Sequence, residues 1–191
     1  DGPILPAPVT NTGHYWGHEW AEIAVPVTVP AFGYAAFAIV ETDEDLPSDN
    51  LAVAGDAVRR TEPETTLPPT LENERLRVVF DSLSGGIVSL VDKATGVDVA
   101  DPSRPAGVLE FIRERPRGMT AWVIGEAMER DAKLPVKSLQ RRQEGPYMAS
   151  VTAELEFAAL TAKVVFRLQA GEAKLAVEVH VGWRAIGEQQ I

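Results

Sequence analysis

Apolar residues fall at every second position in four separate stretches of this sequence. Leu76, Val78 and Phe80 form one such row, and Val151, Ala153, Leu155 and Phe157 a second. Val164, Phe166 and Leu168 form a third, and Leu175, Val177, Val179 and Val181 a fourth. A period of two is the signature of a strand with one buried face, and it cannot line one side of a helix. Burying the last four side chains contributes roughly 6–12 kcal/mol as an upper bound. Net domain stabilities are about 5–15 kcal/mol, so these positions read as core and not as a site.

Between the strands stand turn residues. In "LRVVFDSLSGGIVSLVDKATGVDV", residues 76–99 read as three strands joined at "DSLSGG" and "KATG". Gly85 and Gly86 accept positive φ without a Cβ clash, and such spacings suit β-hairpins. Upstream, Ile23, Val25, Val27 and Val29 alternate, as do Phe37 and Ile39. Residues 43–69 differ, with acidic runs and Pro47, Pro63, Pro68 and Pro69, which lack backbone donors. They read as a linker with a short strand at "LAVAG". "GEAMERDAK", residues 125–133, is the one stretch that reads as briefly helical.

Composition narrows the function classes. A formal net charge of −10 argues against nucleic acid and against an anionic membrane surface, both of which call for basic patches. The absence of cysteine excludes disulfides, cysteine nucleophiles and thiolate zinc sites. The most apolar run, "VTVPAFGYAAFAIV", is too short to span a bilayer and holds Pro30 and Gly33. The compartment stays open, with the cytoplasm favoured. The chain reads as a piece of something longer, starting without methionine and stopping after a strand pattern.

Few residues offer chemistry. His14 and His18 lie four apart in "HYWGHEW", the spacing of two ligands on a helix. Their setting reads as loop into strand, however, and as aromatic packing at a domain edge. His180 alternates with valines and belongs on the opposite sheet face, with no triad partner in view. Asp43, Glu44 and Asp45 read as a solvated linker, and Glu72 and Glu74 as exposed residues at a strand start. No phosphate-binding, dinucleotide or nucleophile-elbow motif occurs. In "RERPRGMTAWVIGE", Arg113, Arg115 and Arg117 precede Trp122, with Tyr147 and Trp183 further on. Such residues can hold sugars by hydrogen bonding and ring stacking, or can simply rim a core tryptophan. Trp122, between Ala121 and Val123, is expected to be at least partly buried.

Taken together, the chain resembles the non-catalytic β region of glycoside hydrolase family 38, the α-mannosidases. Five ordered stretches carry the likeness: "HYWGHEWAEIAVPVTVPAFGYAAFAI", "LENERLRVVFDSLSGGIVSLVDKATG", "TAWVIG", "EGPYMASVTAEL" and "VEVHVGWR". Thr120, Val123 and Ala185 depart from it at places where the family pattern has acids. The resemblance implies an all-β fold, an antiparallel supersandwich of the galactose-mutarotase-like kind. Residues 1–42 would end a small β-sandwich domain, 43–69 would be the linker, and 70–191 would begin the supersandwich. It further implies a β scaffold of a zinc-dependent retaining α-mannosidase. Zinc and the nucleophile would lie in an N-terminal domain outside this chain, which itself would hold no cofactor and no catalytic residue. Trp122 is then the candidate sugar contact.

The expected partners are the remaining domains of the parent and mannose-containing glycans. Self-association through an exposed sheet edge or face, favoured by salt, is a further expectation. A carbohydrate-binding module and a purely structural or assembly domain are the rival readings. An aldose-epimerase reading fits the fold, but the three histidines offer it no acid–base pair.

Overall fold

The structure, a computed structural model, describes residues 4–42, 68–114, 127–131, 134–143, 147–157 and 160–184, with backbone alone at 113–114, 127–131 and 143. The described residues are all-β: strands and turns, with no helix. The period-two rows drive this outcome through two four-stranded antiparallel meanders.

The first meander runs β3 (Thr70–Glu72), β4 (Leu76–Phe80), β5 (Ile87–Asp92) and β6 (Val97–Asp98), in that spatial order. The second runs β9 (Val136–Gln143), β10 (Met148–Phe157), β11 (Leu160–Gln169) and β12 (Leu175–Trp183), again in chain order. Sequential order follows from short connections, because antiparallel neighbours need only a tight turn.

The two sheets close on a shared core, as a sandwich does. Leu71, Leu76, Val78, Phe80 and Ile87 come from the first sheet. Val151, Ala153, Leu155, Val164, Phe166 and Leu168 come from the second. Phe80 and Phe166 meet across the interface with ring centroids 4.9 Å apart and planes tilted by 53°. On β10 the buried residues alternate with Thr152, Glu154 and Glu156, which lie on the outer face. The register pairs Val151 with Phe166 and Ala153 with Val164, so the second and third apolar rows share one face.

The fourth row departs from expectation. Val177, Val179 and Val181 pair with Phe166, Val164 and Ala162 and so share the inner face. Yet they are 51%, 47% and 58% exposed, and only Leu175 packs against the core. The first sheet covers β10 and β11 and stops short of β12. Expected as core, these three valines are an open apolar strip.

Two further expectations are corrected. The alternation at 23–29 is not a strand: pairing ends at Ile23, and Pro26 and Pro30 break any further ladder. Residues around Phe37 and Ile39 are likewise unpaired and exposed. Within the stretch expected to be helical, Ala127–Asp131 forms strand β8, paired antiparallel with β7 (Phe111–Glu114). A weak helical pattern of five residues yields to a neighbouring strand that supplies hydrogen bonds. "LAVAG" and the linker prolines up to Pro63 lie outside the described residues.

The hairpin of β1 (Val9–Tyr15) and β2 (His18–Ile23) turns at Trp16 and Gly17, with φ of 52° and 79°. Two positive φ values mark the tight turn whose twist suits a two-residue hairpin. Trp20 lies over Gly13, where a Cβ would sit 2.3 Å from the indole ring. At the β4–β5 connection, Gly85 adopts the left-handed conformation at φ 67°, as expected. Gly86 is there for space instead, since a Cβ would lie 2.5 Å from Val108.

Candidate functional site

The bends of the first sheet hold the most connected polar group. Asn73, 5% exposed between β3 and β4, donates from Nδ2 to the carbonyls of Gln169 (2.6 Å) and Glu172 (2.8 Å). Its Oδ1 accepts from the backbone amides of Arg75 (2.9 Å) and Leu76 (2.7 Å). All four of its bonding positions are used. Around it, Glu74 accepts from the Gly171 amide at 2.8 Å, and Arg75 Nε donates to the Gly171 carbonyl at 2.8 Å. The turn at 73–75 therefore clamps the turn between β11 and β12.

Lys93, in the turn between β5 and β6, joins the same cluster. Its Nζ donates to the Asn73 carbonyl at 2.6 Å and lies 2.6 Å from Glu72 Oε1. Glu72, expected to be exposed, is in fact held between Lys93 and, at 3.7 Å, Arg77. Pattern reading missed this cluster because a polar residue at a bend looks the same whether it caps its own turn or reaches another.

A second charged region lies on the outer face of the second sheet. Lys137, Glu154, Glu156, Lys163 and His180 line an open depression of about 370 Å³. Lys137 Nζ lies 2.8 Å from Glu156, and Ser138 Oγ donates to Glu154 at 2.8 Å. The hydrogen bond from Lys137, together with its charge, holds the Glu156 carboxyl below its usual range. Glu156 is thus ionised at neutral pH and poorly suited to act as a general acid. Alongside, Arg167 Nη1 reaches Glu178 at 2.6 Å, and His180 Nε2 reaches the other Glu178 oxygen at 2.8 Å. Among the described residues no Phe, Tyr or Trp lines the depression. Cross-strand charge pairs of this kind solubilise an exposed sheet face.

The β1–β2 register pairs Tyr15 with His18 and His14 with Glu19, which puts the two histidines on opposite faces of the hairpin. They cannot converge on one metal. Among the described residues no group of three or more potential ligands is close enough to hold a metal ion. His180 pairs with Lys163 on the outer face, as its alternation implied. Burial raises the Tyr147 phenol, which stays neutral at physiological pH. Trp183 is 57% exposed and stacks on Phe111, centroids 6.0 Å apart and planes at 18°, while Phe111 also meets Phe157. Asp43–Asp45, Arg115, Arg117, Thr120, Trp122, Val123 and Ala185 lie outside the described residues, as does the side chain of Arg113.

The arrangement is therefore a two-sheet sandwich locked by a turn-to-turn clamp. Its motif stretches "LENERL" and "DKATG" meet in space through Asn73 and Lys93. No curated protein matches the chain. The family model described as "Glycosyl hydrolases family 38 C-terminal domain" matches residues 71–191, which is well over half of it and spans both sheets of the sandwich. The chain belongs to the glycosyl hydrolase family 38 C-terminal domain family.

Proposed function

We propose that this sandwich is the β scaffold of a zinc-dependent retaining α-mannosidase and that the chain alone hydrolyses nothing. The observation that carries the reading is the family match over a fold whose motif residues are spent on structure. Asn73, Lys93 and Glu72 satisfy one another and the neighbouring turn, leaving none of them poised for a substrate. Retaining hydrolysis needs two carboxyl groups about 5–5.5 Å apart, one of them protonated. Glu156, paired with Lys137, does not meet that need.

Zinc does not fit the histidines described, for His14 and His18 diverge and His180 is tied to Glu178. The reading places both zinc and the nucleophile in another domain of the parent. The scaffold's part is to hold a rigid wall beside that site, with Trp122 the proposed sugar contact.

The test is to assay the purified chain and its parent on an aryl α-mannoside, each with and without zinc. Turnover by the parent alone, lost with a chelator and restored by zinc, is the expected result. Turnover by the isolated chain above a buffer blank overturns the reading. The half-exposed ring of Trp183 favours a second reading, a carbohydrate-binding module. That reading requires saturable mannose binding by the chain itself.

A further inference from the structure

Phe111 opens β7, and its ring meets two others that lie on different strands of the second sheet. Phe157, at the end of β10, has its ring centroid 5.4 Å away with planes tilted by 44°. Trp183, at the end of β12, has its centroid 6.0 Å away with planes at 18°. β11 runs between those two strands, and its Leu160 pairs with both Phe157 and Trp183. The three residues form one apolar row across the end of the sheet's inner face, and Phe111 bridges the two ends of that row.

The stem of the ribbon is fixed as well. Leu109 packs against the core and Leu134 lies within it. The Leu134 amide donates to the Leu109 carbonyl at 3.1 Å. Beyond that point β7 and β8 pair with each other and with no further strand among the described residues. A two-stranded ribbon by itself is marginally stable at best in water, so its order has to come from what it packs against.

We propose that Phe111, gripped by Phe157 and Trp183, is the pin that holds the β7–β8 ribbon to the sandwich, and that the ribbon opens as a unit of its own. Trp183 is then a positioning residue, with its half-exposed ring engaged by Phe111 and not by a sugar. Residues 115–126, with Arg115, Arg117 and Trp122, connect the two strands of the ribbon. The pin therefore fixes the two points from which that stretch leaves the fold. It acts in the chain itself, whatever the parent hydrolyses.

Hydrogen exchange read by mass spectrometry separates the ribbon from the sandwich, because local units open at free energies below the global one. In the purified chain the amides of Phe111–Glu114 and Ala127–Asp131 should exchange faster than those of β10 and β11. Phe111→Ala removes both ring pairs and should speed the ribbon amides by at least about tenfold. Trp183→Leu, at a half-exposed position, removes one pair and should speed them by at least about threefold. It also carries the test if Phe111→Ala does not fold. Trp183→Phe keeps a ring for Phe111 and should restore most of the protection.

Val78→Ala, deep in the core and away from the pin, should speed the amides of β4, β10 and β11 and leave those of the ribbon as they were. Circular dichroism checks that each variant keeps its strands. Ribbon exchange in Phe111→Ala or Trp183→Leu equal to that of the unsubstituted chain overturns the pin. So does Trp183→Phe protecting no better than Trp183→Leu. A Val78→Ala variant whose ribbon speeds up as much as its core overturns the separate unit. Mannose binding lost in Trp183→Leu with ribbon exchange unaltered assigns the ring to a sugar instead.

Discussion

Replacing Asn73 by alanine is expected to be among the most damaging single changes at any polar residue of this chain. The side chain makes four hydrogen bonds, two given to the turn carbonyls of Gln169 and Glu172 and two received from Arg75 and Leu76. Each is worth about 0.5–1.5 kcal/mol net, and the group is largely buried, so truncation strands its partners. Water can reach part of the exposed turn, which brings the expected loss to about 3 kcal/mol. For a chain of this size that lowers the melting temperature by about 6–12 °C. Urea unfolding followed by circular dichroism measures it, with the loss appearing in the midpoint and not in the slope.

Asn73→Asp separates bonding from shape. A carboxylate oxygen would then face the two carbonyls that the amide now serves, and its acid would be pushed above the ordinary value in the folded state. A raised acid costs stability at neutral pH, and the cost shrinks as pH falls through the folded value. The aspartate variant should therefore be less stable than the alanine variant near pH 7.5 and recover relative to it near pH 5. A midpoint for Asn73→Ala equal to that of the unsubstituted chain, or a pH-independent gap between the variants, would refute the clamp.

Other outcomes follow from neighbouring contacts. Lys93→Met removes the ammonium from Glu72 and from the Asn73 carbonyl and should cost about 1 kcal/mol, discounted for partial exposure, in the same urea assay. Gly86→Ala drives a Cβ into Val108 and Pro105 and should cost about 1–3 kcal/mol by overpacking, with an unchanged unfolding slope. The hydroxyl of Ser89, then the amides of Leu90 and Ala100, lower the Asp98 acid below its usual 3.8. Its stabilisation is present above that value and lost as pH falls through the lowered one. Melting curves of Asp98→Asn and the unsubstituted chain should thus differ at neutral pH and converge in strong acid.

The sequence makes the strands legible where two conditions coincide. Val151, Ala153 and Leu155 repeat at period two, and a second sheet lies over them, so pattern and burial agree. Val177, Val179 and Val181 repeat as clearly and lie open, because burial depends on what covers a face and the pattern does not record it. The stretch from Ile23 to Val29 alternates too, but Pro26 and Pro30 withhold the donors that a ladder needs. For β8, a short polar run carried a faint helical period, and its pairing with β7 decided the matter. The bends of "LENERL" and "DKATG" were legible as turns, but not as parts of one cluster. The partners of the "LENERL" bend, Gln169, Gly171 and Glu172, lie almost a hundred residues away.

That distance has a consequence for how the fold can vary. Each four-stranded meander assembles from neighbours along the chain, and Asn73 joins them by contacts spanning 96 and 99 positions. Closing a loop grows dearer only slowly with its length, by about 0.6 kcal/mol per doubling. Extra residues inserted between β6 and β9 would therefore tax the clamp very little. The segment between the two meanders, with the β7–β8 ribbon inside it, is where a protein built on this plan can lengthen, acquire new loops and change what it touches while the sandwich stays the same.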